Sequence, residues 1–357
     1  MSWKGEYETA CGKTSVAVGQ GALDLLSSLR GKKAVVSPSA LEDEAIELSR
    51  GLNAGLYLLP DGERAKSPRE VTSLLRWLYG IGMTRKDWVI AFGGGTVSDV
   101  AGFASSIYMR GTMFATAPTT LLAAVDASLG GKNAVNFAGV KNLIGTIRQP
   151  SLVAVDVGLL RKLPDLELRN GMAEVIKYAI SLDGHLFRYL EEKKAEVLSK
   201  GRALDEIIIR SIDIKMRVVA RDELDLTGTR AVLNVGHTFA HALEAGSSFS
   251  LPHGLAVAAG ISMECSLGNR LGITSEAAVH GVRLLLRDYG LPQGFNDLAS
   301  LLKRFSLSAA LRAMATDKKL GSDGMAIVPF VTEIGRWRPV ELSLDELRSA
   351  FREAVRS

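Results

Sequence analysis

Apolar and polar positions follow two different periods along the first 155 residues. Short apolar runs predict buried strands at residues 33–37, 54–60, 87–92 and 114–117. Amphipathic spacing predicts helices at residues 41–52 and 67–80. This alternation of strand and helix is typical of a parallel, doubly wound sheet.

The pattern changes near residue 160, after which helical spacing dominates. Helices are predicted at residues 166–180, 186–199, 203–221, 231–245, 254–271 and 275–289. A late apolar run at 325–330 predicts a small hairpin. We therefore predict an α/β, Rossmann-like N-terminal domain at residues 1–157 and an all-α C-terminal domain at residues 158–357.

Composition narrows the class of protein. The 357 residues are 47% hydrophobic and 23% charged, as in globular proteins, and no apolar run is long enough to cross a bilayer. The first residues lack the apolar core of a signal peptide, and two cysteines cannot form a disulfide framework. We expect a cytoplasmic protein with no membrane partner. Its mild net charge of +4 suits a small anionic substrate and gives little support for nucleic-acid binding.

Three of the five histidines fall within seventeen residues, at His237, His241 and His253. Asn234, His237 and His241 are spaced i, i+3 and i+7, which predicts one face of a helix. Imidazole is the commonest metal ligand in proteins, so the cluster indicates a metal site. Histidines that serve only the core or the surface are the alternative.

A glycine-rich turn, Gly93-Gly-Gly-Thr-Val-Ser-Asp99, separates a predicted strand from a predicted helix. Such a turn lets a phosphate approach the backbone and the free N–H groups of a helix start. It is not the G-x-G-x-x-G dinucleotide motif, and a tight turn with nothing bound is the alternative. Polar residues at 61–66 and at Thr119-Thr120 also follow predicted strands, where ligands of such sheets bind.

Polar residues interrupt apolar sequence at Arg110, Asp126, Lys132 and Lys141-Asn142. Because charged side chains are seldom buried without partners, they indicate a polar site; a structural ion pair, for example Asp126 with Lys132, is the alternative. Glu174 and Lys177 lie one helical turn apart. A solvent-facing salt bridge would explain this spacing, but their neighbours are mostly apolar.

Nine short stretches in this order resemble the 3-dehydroquinate synthase family over almost the whole length of the chain. They are Pro-Asp-Gly-Glu-Arg-Ala-Lys66, Gly-Gly-Gly-Thr-Val-Ser-Asp99, Tyr-Met-Arg-Gly111, Pro-Thr-Thr-Leu-Leu122, Val-Asp-Ala-Ser-Leu-Gly-Gly-Lys132, Gly-Val-Lys-Asn-Leu-Ile-Gly145, Gly-Met-Ala-Glu-Val-Ile-Lys177, Leu-Asn-Val-Gly-His-Thr-Phe-Ala-His241 and Pro-His-Gly254. The resemblance implies an NAD-binding α/β domain followed by a helical, metal-binding domain.

By this resemblance, the ligands of a divalent metal are Glu174, His237 and His253. The metal would be zinc, with cobalt as the other candidate, held by three protein ligands with one position open. His241 is implied as an acid/base residue. Asp225 is implied as a second proton acceptor, with Glu223 as the alternative because the surrounding loop is one residue longer than is common.

The remaining implied residues fall into three groups. The further catalytic residues are Lys132, Lys177, Arg230 and Asn234. The substrate-binding residues are Arg110, Asp126, Lys132, Asn142, Lys215, Arg230, Asn234, Lys318 and Lys319. The NAD-binding residues are Asp61, Gly62, Glu63, Lys66, Gly94, Gly95, Thr96, Val97, Ser98, Asp99, Thr119, Thr120, Lys141, Leu159, Leu160, Arg161 and Lys162.

The implied reaction converts 3-deoxy-D-arabino-heptulosonate 7-phosphate into 3-dehydroquinate and phosphate, a step of aromatic amino acid biosynthesis. It combines transient oxidation by NAD, β-elimination of phosphate, re-reduction and aldol closure. The family also implies a homodimer. The alternatives are another sugar phosphate cyclase, such as a 2-deoxy-scyllo-inosose synthase or a sedoheptulose 7-phosphate cyclase, and a metal-dependent polyol dehydrogenase. The chain departs from the family pattern at Asn133, where threonine is frequent, and at Leu255, where glutamate is usual.

Overall fold

The structure is a computed structural model that describes residues 3–315 and 324–356. The chain forms two compact units, Met1–Pro164 with Ile208–Leu226, and Asp165–Ile207 with Thr227–Ser357. The predicted division into domains at residues 157 and 158 stays a prediction. Among the described helices, none is both long and apolar enough to span a bilayer.

The first unit is built on a seven-stranded sheet in the order β1-β2-β9-β6-β5-β3-β4. Only β1 runs antiparallel to its neighbour, so the prediction of a parallel, doubly wound sheet is confirmed. The strands of this sheet are β1 (Trp3–Thr9), β2 (Gly12–Gly19), β3 (Lys33–Pro38), β4 (Gly55–Leu59), β5 (Trp88–Gly93), β6 (Met113–Pro118) and β9 (Leu152–Asp156). Strands β7 (Lys132–Phe137) and β8 (Val140–Ile147) form a separate hairpin.

Alternate residues of the central strands bury opposite faces of this sheet, as period-2 geometry requires. On β3, Ala34 and Val36 pack into one apolar cluster and Val35 packs into the other. The flanking helices are α1 (Glu42–Leu52), α2 (Pro68–Gly80), α3 (Gly95–Ile107) and α4 (Val157–Leu160). Ser67 is the N-cap residue of helix α2. Its hydroxyl oxygen accepts a hydrogen bond from the Glu70 N–H at 3.3 Å.

The second unit is mainly helical, as predicted, and also contains the predicted hairpin. Its helices are α5 (Asp165–Ser181), α6 (Gly184–Glu192), α7 (Lys194–Leu198), α9 (His237–Gly246), α10 (His253–Arg270), α11 (Glu276–Asp288), α12 (Phe295–Ala299), α13 (Leu307–Ala315) and α14 (Leu344–Arg356). Its strands are β10 (Met325–Glu333) and β11 (Arg336–Ser343). Helix α8 (Arg202–Arg221) contributes its residues from Ile208 onward to the first unit.

Several elements differ from the predictions. The predicted helix at 186–199 is two helices, α6 and α7, that meet at Lys193. The predicted helix at 231–245 divides into a 3-10 turn, Thr229–Asn234, and helix α9. Gly236 lies between them with a φ of 82°, which an α-helix cannot contain. The edge strand β1 was not predicted, because its alternation of half-buried and exposed positions gives a weak apolar signal.

Candidate functional site

Four segments predicted to bind NAD follow the carboxyl ends of parallel strands in the first unit. They are residues 61–66 after β4, 94–99 after β5, 119–120 after β6 and 159–162 after β9. Carboxyl ends of parallel strands lie along one edge of a sheet, where ligands of this fold class bind. The structure thus places these residues on the edge that the sequence indicated.

The glycine turn brings bare backbone to this edge. Gly94 precedes α3, which begins at Gly95 inside the predicted nucleotide motif. A Cβ atom on Gly95 would lie 2.8 Å from the Cβ of Ala127, so a side chain does not fit there. The N-cap residue and the first residue of α3 therefore carry no side chain, and Ala127 packs closely against the second of them.

Two polar contacts connect residues 61–66 to their neighbours at this edge. Lys66 forms an ion pair with Asp99. Burial raises the pKa of Asp99 above its ordinary value, although the Lys66 ammonium acts in the opposite direction. Glu63 accepts a hydrogen bond from the Asn136 amide at 2.7 Å, so the hairpin β7–β8 fixes this segment as well.

The charged residues predicted to hold substrate form two ion pairs in the first unit. The Lys215 ammonium lies 2.8 Å from the Asp126 carboxylate and is buried. Asp126 itself lies in a π-helical turn, Ala123–Ala127, a rare geometry that is frequent at functional sites. Lys132 pairs at 2.5 Å with Asp225, so the alternative of an Asp126–Lys132 pair is wrong.

Asp225 and Glu223, the two candidates for the second proton acceptor, have different surroundings. Glu223 is buried and accepts hydrogen bonds from the Cys11 N–H at 2.7 Å and from the Gln149 amide at 3.0 Å. Burial opposes the ionisation of Glu223, but these hydrogen bonds outweigh burial and hold its pKa below the ordinary value. Asp225 is exposed, with a φ of 57°. Access to a ligand therefore favours Asp225.

Three other predicted residues of this unit lie on the 3-10 turn Tyr108–Arg110 or near the start of strand β8. Arg110 is exposed and has a φ of 62°, next to Met109 at 49°. Asn142 is exposed with a φ of 53°, and its N–H donates to the Asn136 side chain at 2.9 Å. Lys141, predicted to contact NAD, is partly buried on β8. Left-handed backbone at residues other than glycine is uncommon and is concentrated at functional turns.

In the second unit, three helices bring the predicted metal ligands together. Glu174 lies on α5, His237 is the first residue of α9, and His253 is the first residue of α10. One ligand atom from each residue lies within 4.8 Å of the other two. The Glu174 Oε1 atom is 3.5 Å from the His237 Nε2 atom and 3.4 Å from the His253 Nε2 atom.

These distances fit a bound divalent cation. Two zinc–ligand bonds of about 2.0–2.1 Å at the tetrahedral angle separate their donor atoms by roughly 3.3 Å. Two imidazole nitrogens and one carboxylate form a typical catalytic zinc ligand set. The side chain of Glu174 is completely buried and pairs with the Lys177 ammonium through its other oxygen, so Oε1 stays directed at the two histidines.

Close helix packing determines where His253 lies. A Cβ atom on Gly254 would lie 1.9 Å from the Asn170 carbonyl oxygen, so only glycine lets α10 begin this close to α5. The Gly254 N–H donates to the Asn170 side chain at 2.6 Å. Asn170 lies one helical turn before Glu174, and this contact therefore places the two ligands side by side.

The start of α9, which carries His237, is held by a carboxylate from α10. Buried Glu264 accepts hydrogen bonds from the Gly236 N–H at 2.7 Å and from the Thr238 N–H at 3.1 Å. A negative charge at a helix N-terminus is stabilising, and it satisfies N–H groups that have no partner within the helix.

The second ring nitrogen of each histidine ligand also has a contact. His237 Nδ1 lies 3.1 Å from the Val235 carbonyl oxygen, and His253 Nδ1 lies 3.0 Å from a Glu244 carboxylate oxygen. Burial lowers the pKa of the His253 imidazole, but the carboxylates of Glu244 and Glu174 outweigh burial and raise it to about 9.

The remaining predicted residues of this unit have different surroundings. Lys177 is buried, forms an ion pair with Glu174 and donates to the Leu233 carbonyl at 2.7 Å, so a solvent-facing salt bridge is excluded. Arg230 is buried on the turn Thr229–Asn234. His241 is exposed, and its ring meets the His237 ring edge-on at 5.5 Å. Lys318 and Lys319 lie outside the described residues.

The prediction of one helical face for Asn234, His237 and His241 is wrong for Asn234. That residue ends the 3-10 turn before Gly236, whereas α9 begins at His237. The face of α9 is shared instead by His237, His241 and Glu244, at i, i+4 and i+7. This spacing was a signal for Glu244 that the sequence reasoning missed. No such spacing indicates Glu264, because it lies 26 residues after Thr238, whose N–H donates a hydrogen bond to its carboxylate.

Two family models match consecutive parts of the chain. Residues 56–170 match the model of the 3-dehydroquinate synthase N-terminal domain, and residues 171–320 match the model of its C-terminal domain. A curated 3-dehydroquinate synthase from Saccharolobus solfataricus is 42% identical over 98% of each chain.

Two solved structures are similar along nearly the whole chain. A 2-epi-5-epi-valiolone synthase from Streptomyces hygroscopicus with NAD⁺ and Zn²⁺ bound is 26% identical, covers 96% of this chain and 97% of its own, and has a TM-score of 0.84. A 2-deoxy-scyllo-inosose synthase complexed with carbaglucose-6-phosphate, NAD⁺ and Co²⁺ shows the same fold, with 23% identity, 99% and 100% coverage and a TM-score of 0.87. With both family descriptions and a relative of this similarity, the chain belongs to the 3-dehydroquinate synthase family.

Proposed function

We propose that this protein is an NAD- and metal-dependent 3-dehydroquinate synthase, a phosphorus–oxygen lyase. Its substrate is 3-deoxy-D-arabino-heptulosonate 7-phosphate and its products are 3-dehydroquinate and phosphate. The observation that carries the proposal is the cluster of Glu174, His237 and His253, whose ligand atoms lie within 4.8 Å of one another. Membership in the family supports this substrate.

Glu174, His237 and His253 would hold the divalent cation, with zinc favoured over cobalt. When bound, the cation supplies Lewis-acid chemistry at substrate hydroxyl groups, and NAD supplies reversible hydride transfer without net oxidation. The protein's residues orient the substrate, keep its charged groups in place and move protons.

For NAD, the proposal assigns the edge of the sheet in the first unit. The N–H groups at the start of α3 would bind a phosphate, since a helix N-terminus favours an anion and Gly94 and Gly95 carry no side chains of their own. Lys66 and Asp99 hold each other in place beside this turn, and Thr119 and Thr120 follow the next strand. This gives the residues near the turn fixed positions before a nucleotide arrives.

The anionic ends of the substrate need cationic partners, and each unit by itself contains candidates for this role. In the first unit these are Lys215, positioned by Asp126, and Lys132, positioned by Asp225. In the second unit Arg230 is a buried guanidinium suited to a carboxylate or phosphate. The small anionic substrate and a homodimeric assembly stay predictions.

Proton transfer is assigned to His241. Its imidazole is exposed, whereas the neighbouring His237 is buried and turns its Nε2 atom toward Glu174. An accessible imidazole next to the ligand cluster is suited to exchange protons with a bound substrate. Asp225 is the second acceptor in this assignment, because Glu223 is committed to the Cys11 and Gln149 hydrogen bonds.

Release of phosphate from 3-deoxy-D-arabino-heptulosonate 7-phosphate tests the proposal directly. The purified full chain would be assayed with catalytic NAD and added zinc, before and after chelation. We expect chelator-sensitive phosphate release, formation of 3-dehydroquinate and no accumulation of NADH. If phosphate is not released under these conditions, the proposed substrate is wrong.

Another sugar phosphate cyclase activity is the second candidate, because both similar solved structures described above are cyclases of other substrates. The same assay with sedoheptulose 7-phosphate and glucose 6-phosphate separates the two. Turnover of either sugar, with none of the heptulosonate, would support this second candidate. Steady NADH formation with a polyol would instead indicate a dehydrogenase.

A further inference from the structure

Glu244 is a buried carboxylate that meets a metal ligand without belonging to the ligand set. It lies on α9, seven residues after His237 and three after His241. One of its oxygens is 3.0 Å from the His253 Nδ1 atom, and its side chain is only 3% exposed. Helix α9 therefore provides one proposed ligand and, two turns later, a contact to another.

Each ring nitrogen of His253 lies close to a glutamate carboxylate, one outside the proposed ligand set and one within it. Nδ1 faces Glu244 at 3.0 Å, and Nε2 lies 3.4 Å from the Glu174 Oε1 atom. His237 is arranged similarly: its Nδ1 atom faces the Val235 carbonyl oxygen, and its Nε2 atom faces Glu174. A hydrogen-bond acceptor at Nδ1 selects the tautomer that carries its proton there and leaves Nε2 as the electron-pair donor.

We propose that Glu244 is a positioning residue for the metal site, which accepts the Nδ1 proton of His253 and aims its Nε2 atom at the cation. This inference rests on the proposed function only in that the cluster must bind a divalent cation. The acceptor is a carboxylate, which is a stronger partner for an imidazole N–H than the carbonyl that serves His237. It also increases the basicity of the ligand nitrogen.

The resemblance implies a glutamate two residues after His253, where this chain has Leu255. Leu255 is buried and apolar on α10. The carboxylate at the Nδ1 atom of His253 is that of Glu244 on α9.

The backbone of Glu244 also supports the turn that leads to His253. Its carbonyl accepts hydrogen bonds from the Phe249 N–H at 2.7 Å and from the Ser247 hydroxyl at 2.9 Å. These bonds survive a change of side chain. Substitution at residue 244 therefore tests the carboxylate separately from the turn.

The test is the zinc affinity of the full chain, without NAD or substrate, measured by competition with a chromogenic chelator. We expect Glu244→Ala to weaken zinc binding by about 10–100-fold, the usual effect of removing such a partner. Glu244→Gln keeps an oxygen that accepts the Nδ1 proton, so we expect a loss of less than about 10-fold. The absorption spectrum of the cobalt-loaded protein should change more in the alanine variant than in the glutamine variant.

Glu196→Ala is the matched control. This glutamate belongs to the same unit and accepts a hydrogen bond from the Ala203 N–H at 3.2 Å, away from the three ligands. Its loss should leave zinc affinity unchanged. If Glu244→Ala does not fold, the glutamine variant still tests the order of affinities.

The outcomes separate the two proposals. Wild-type protein that binds no divalent cation would overturn the proposed metal site and this inference with it. Zinc binding that is equally tight in the wild type and in both Glu244 variants would overturn this inference alone. A graded loss, from glutamine to alanine, with no loss in Glu196→Ala, would establish the role.

Discussion

In the first unit, the segments predicted to bind NAD lie along one sheet edge, the nucleotide edge. In the second unit, Glu174, His237 and His253 form the candidate metal site, the metal cluster. These two regions are formed in different ways. At the nucleotide edge, each predicted segment follows directly after a parallel strand, so the strand fixes its position locally. The metal cluster joins residues that are 63 and 16 positions apart in the chain, on three different helices. Short sequence patterns can therefore predict the first kind of site, whereas the second kind depends on how the helices pack.

The two regions also differ in their charges. Lys66 and Asp99 form a compact pair of opposite charges at the nucleotide edge. Around the metal cluster, carboxylates outnumber the ammonium of Lys177, because Glu174, Glu244 and Glu264 are all buried there. Buried carboxylates are costly unless cations or hydrogen bonds accompany them. The N–H groups of Gly236 and Thr238 satisfy Glu264. Glu174 and Glu244 lie against His253, where a bound cation would stabilise them. If the two regions act independently, a substitution in one should leave ligand binding at the other unchanged.

The largest expected effect comes from Glu174→Gln. Loss of the carboxylate removes one of three ligands, so metal content should fall and turnover should fall by more than about a thousandfold, since Lewis-acid stabilisation is worth several kcal/mol. NAD affinity should not change. Metal analysis, phosphate release and NAD titration measure these three quantities. Glu167→Gln, on the same helix but outside the cluster, is the control.

Glu174→Gln also leaves the buried Lys177 ammonium without its carboxylate, which can destabilise the fold. A double variant, Glu174→Gln with Lys177→Met, removes both charges and separates this effect from lost ligation. Metal content should stay low in the double variant. Normal metal content in the single variant would contradict the ligand assignment.

His241→Ala should remove turnover while leaving the metal in place. The exposed imidazole is assigned to proton transfer, which contributes about a hundredfold to ten-thousandfold to rate. Metal content and phosphate release, measured on one preparation, check the prediction. Loss of metal would mean that His241 belongs to the ligand set.

Lys66→Met tests the nucleotide edge. The substitution leaves the Asp99 carboxylate without its ammonium partner beside the glycine turn, so we expect NAD affinity to fall by about tenfold to a hundredfold. Metal content should stay normal. Lys86→Met, at an exposed position before β5, is the control. Unchanged NAD affinity in Lys66→Met would place the nucleotide elsewhere.

The smallest expected effect concerns acid stability of the first unit. Burial opposes the ionisation of Asp87, but hydrogen bonds from Thr84 and Lys32 outweigh burial and hold the pKa of Asp87 below its ordinary value. The ionised carboxylate therefore stabilises the fold above the unfolded-state pKa, and this contribution is lost as pH falls through the folded-state pKa.

Asp87→Asn should accordingly lower the free energy of unfolding by about 1–3 kcal/mol at neutral pH, since an amide cannot accept all these hydrogen bonds. The difference from the wild type should shrink as pH falls through the folded-state pKa of Asp87, which lies below its ordinary value. Urea unfolding at several pH values measures it, with Asp24→Asn at an exposed position as the control. A difference that grows in acid would contradict the assigned direction of the pKa shift.

Several features of this protein followed from the sequence alone. The period of apolar residues identified the strands β3 to β6 and most helices, because burial on a sheet face or a helix stripe imposes these periods. The glycine turn, the histidine cluster and the order of the motifs identified the family. The hairpin β10–β11 was also predicted from its apolar run.

Only the tertiary structure decided which charged groups meet. Sequence spacing suggested an Asp126–Lys132 pair, yet packing joins Asp126 to Lys215 and Lys132 to Asp225, 89 and 93 residues away. Sequence also could not show that Glu244 lies against His253 or that Glu264 holds the start of α9. Such contacts depend on close approaches of whole helices, which glycines such as Gly254 permit, and no local period encodes them.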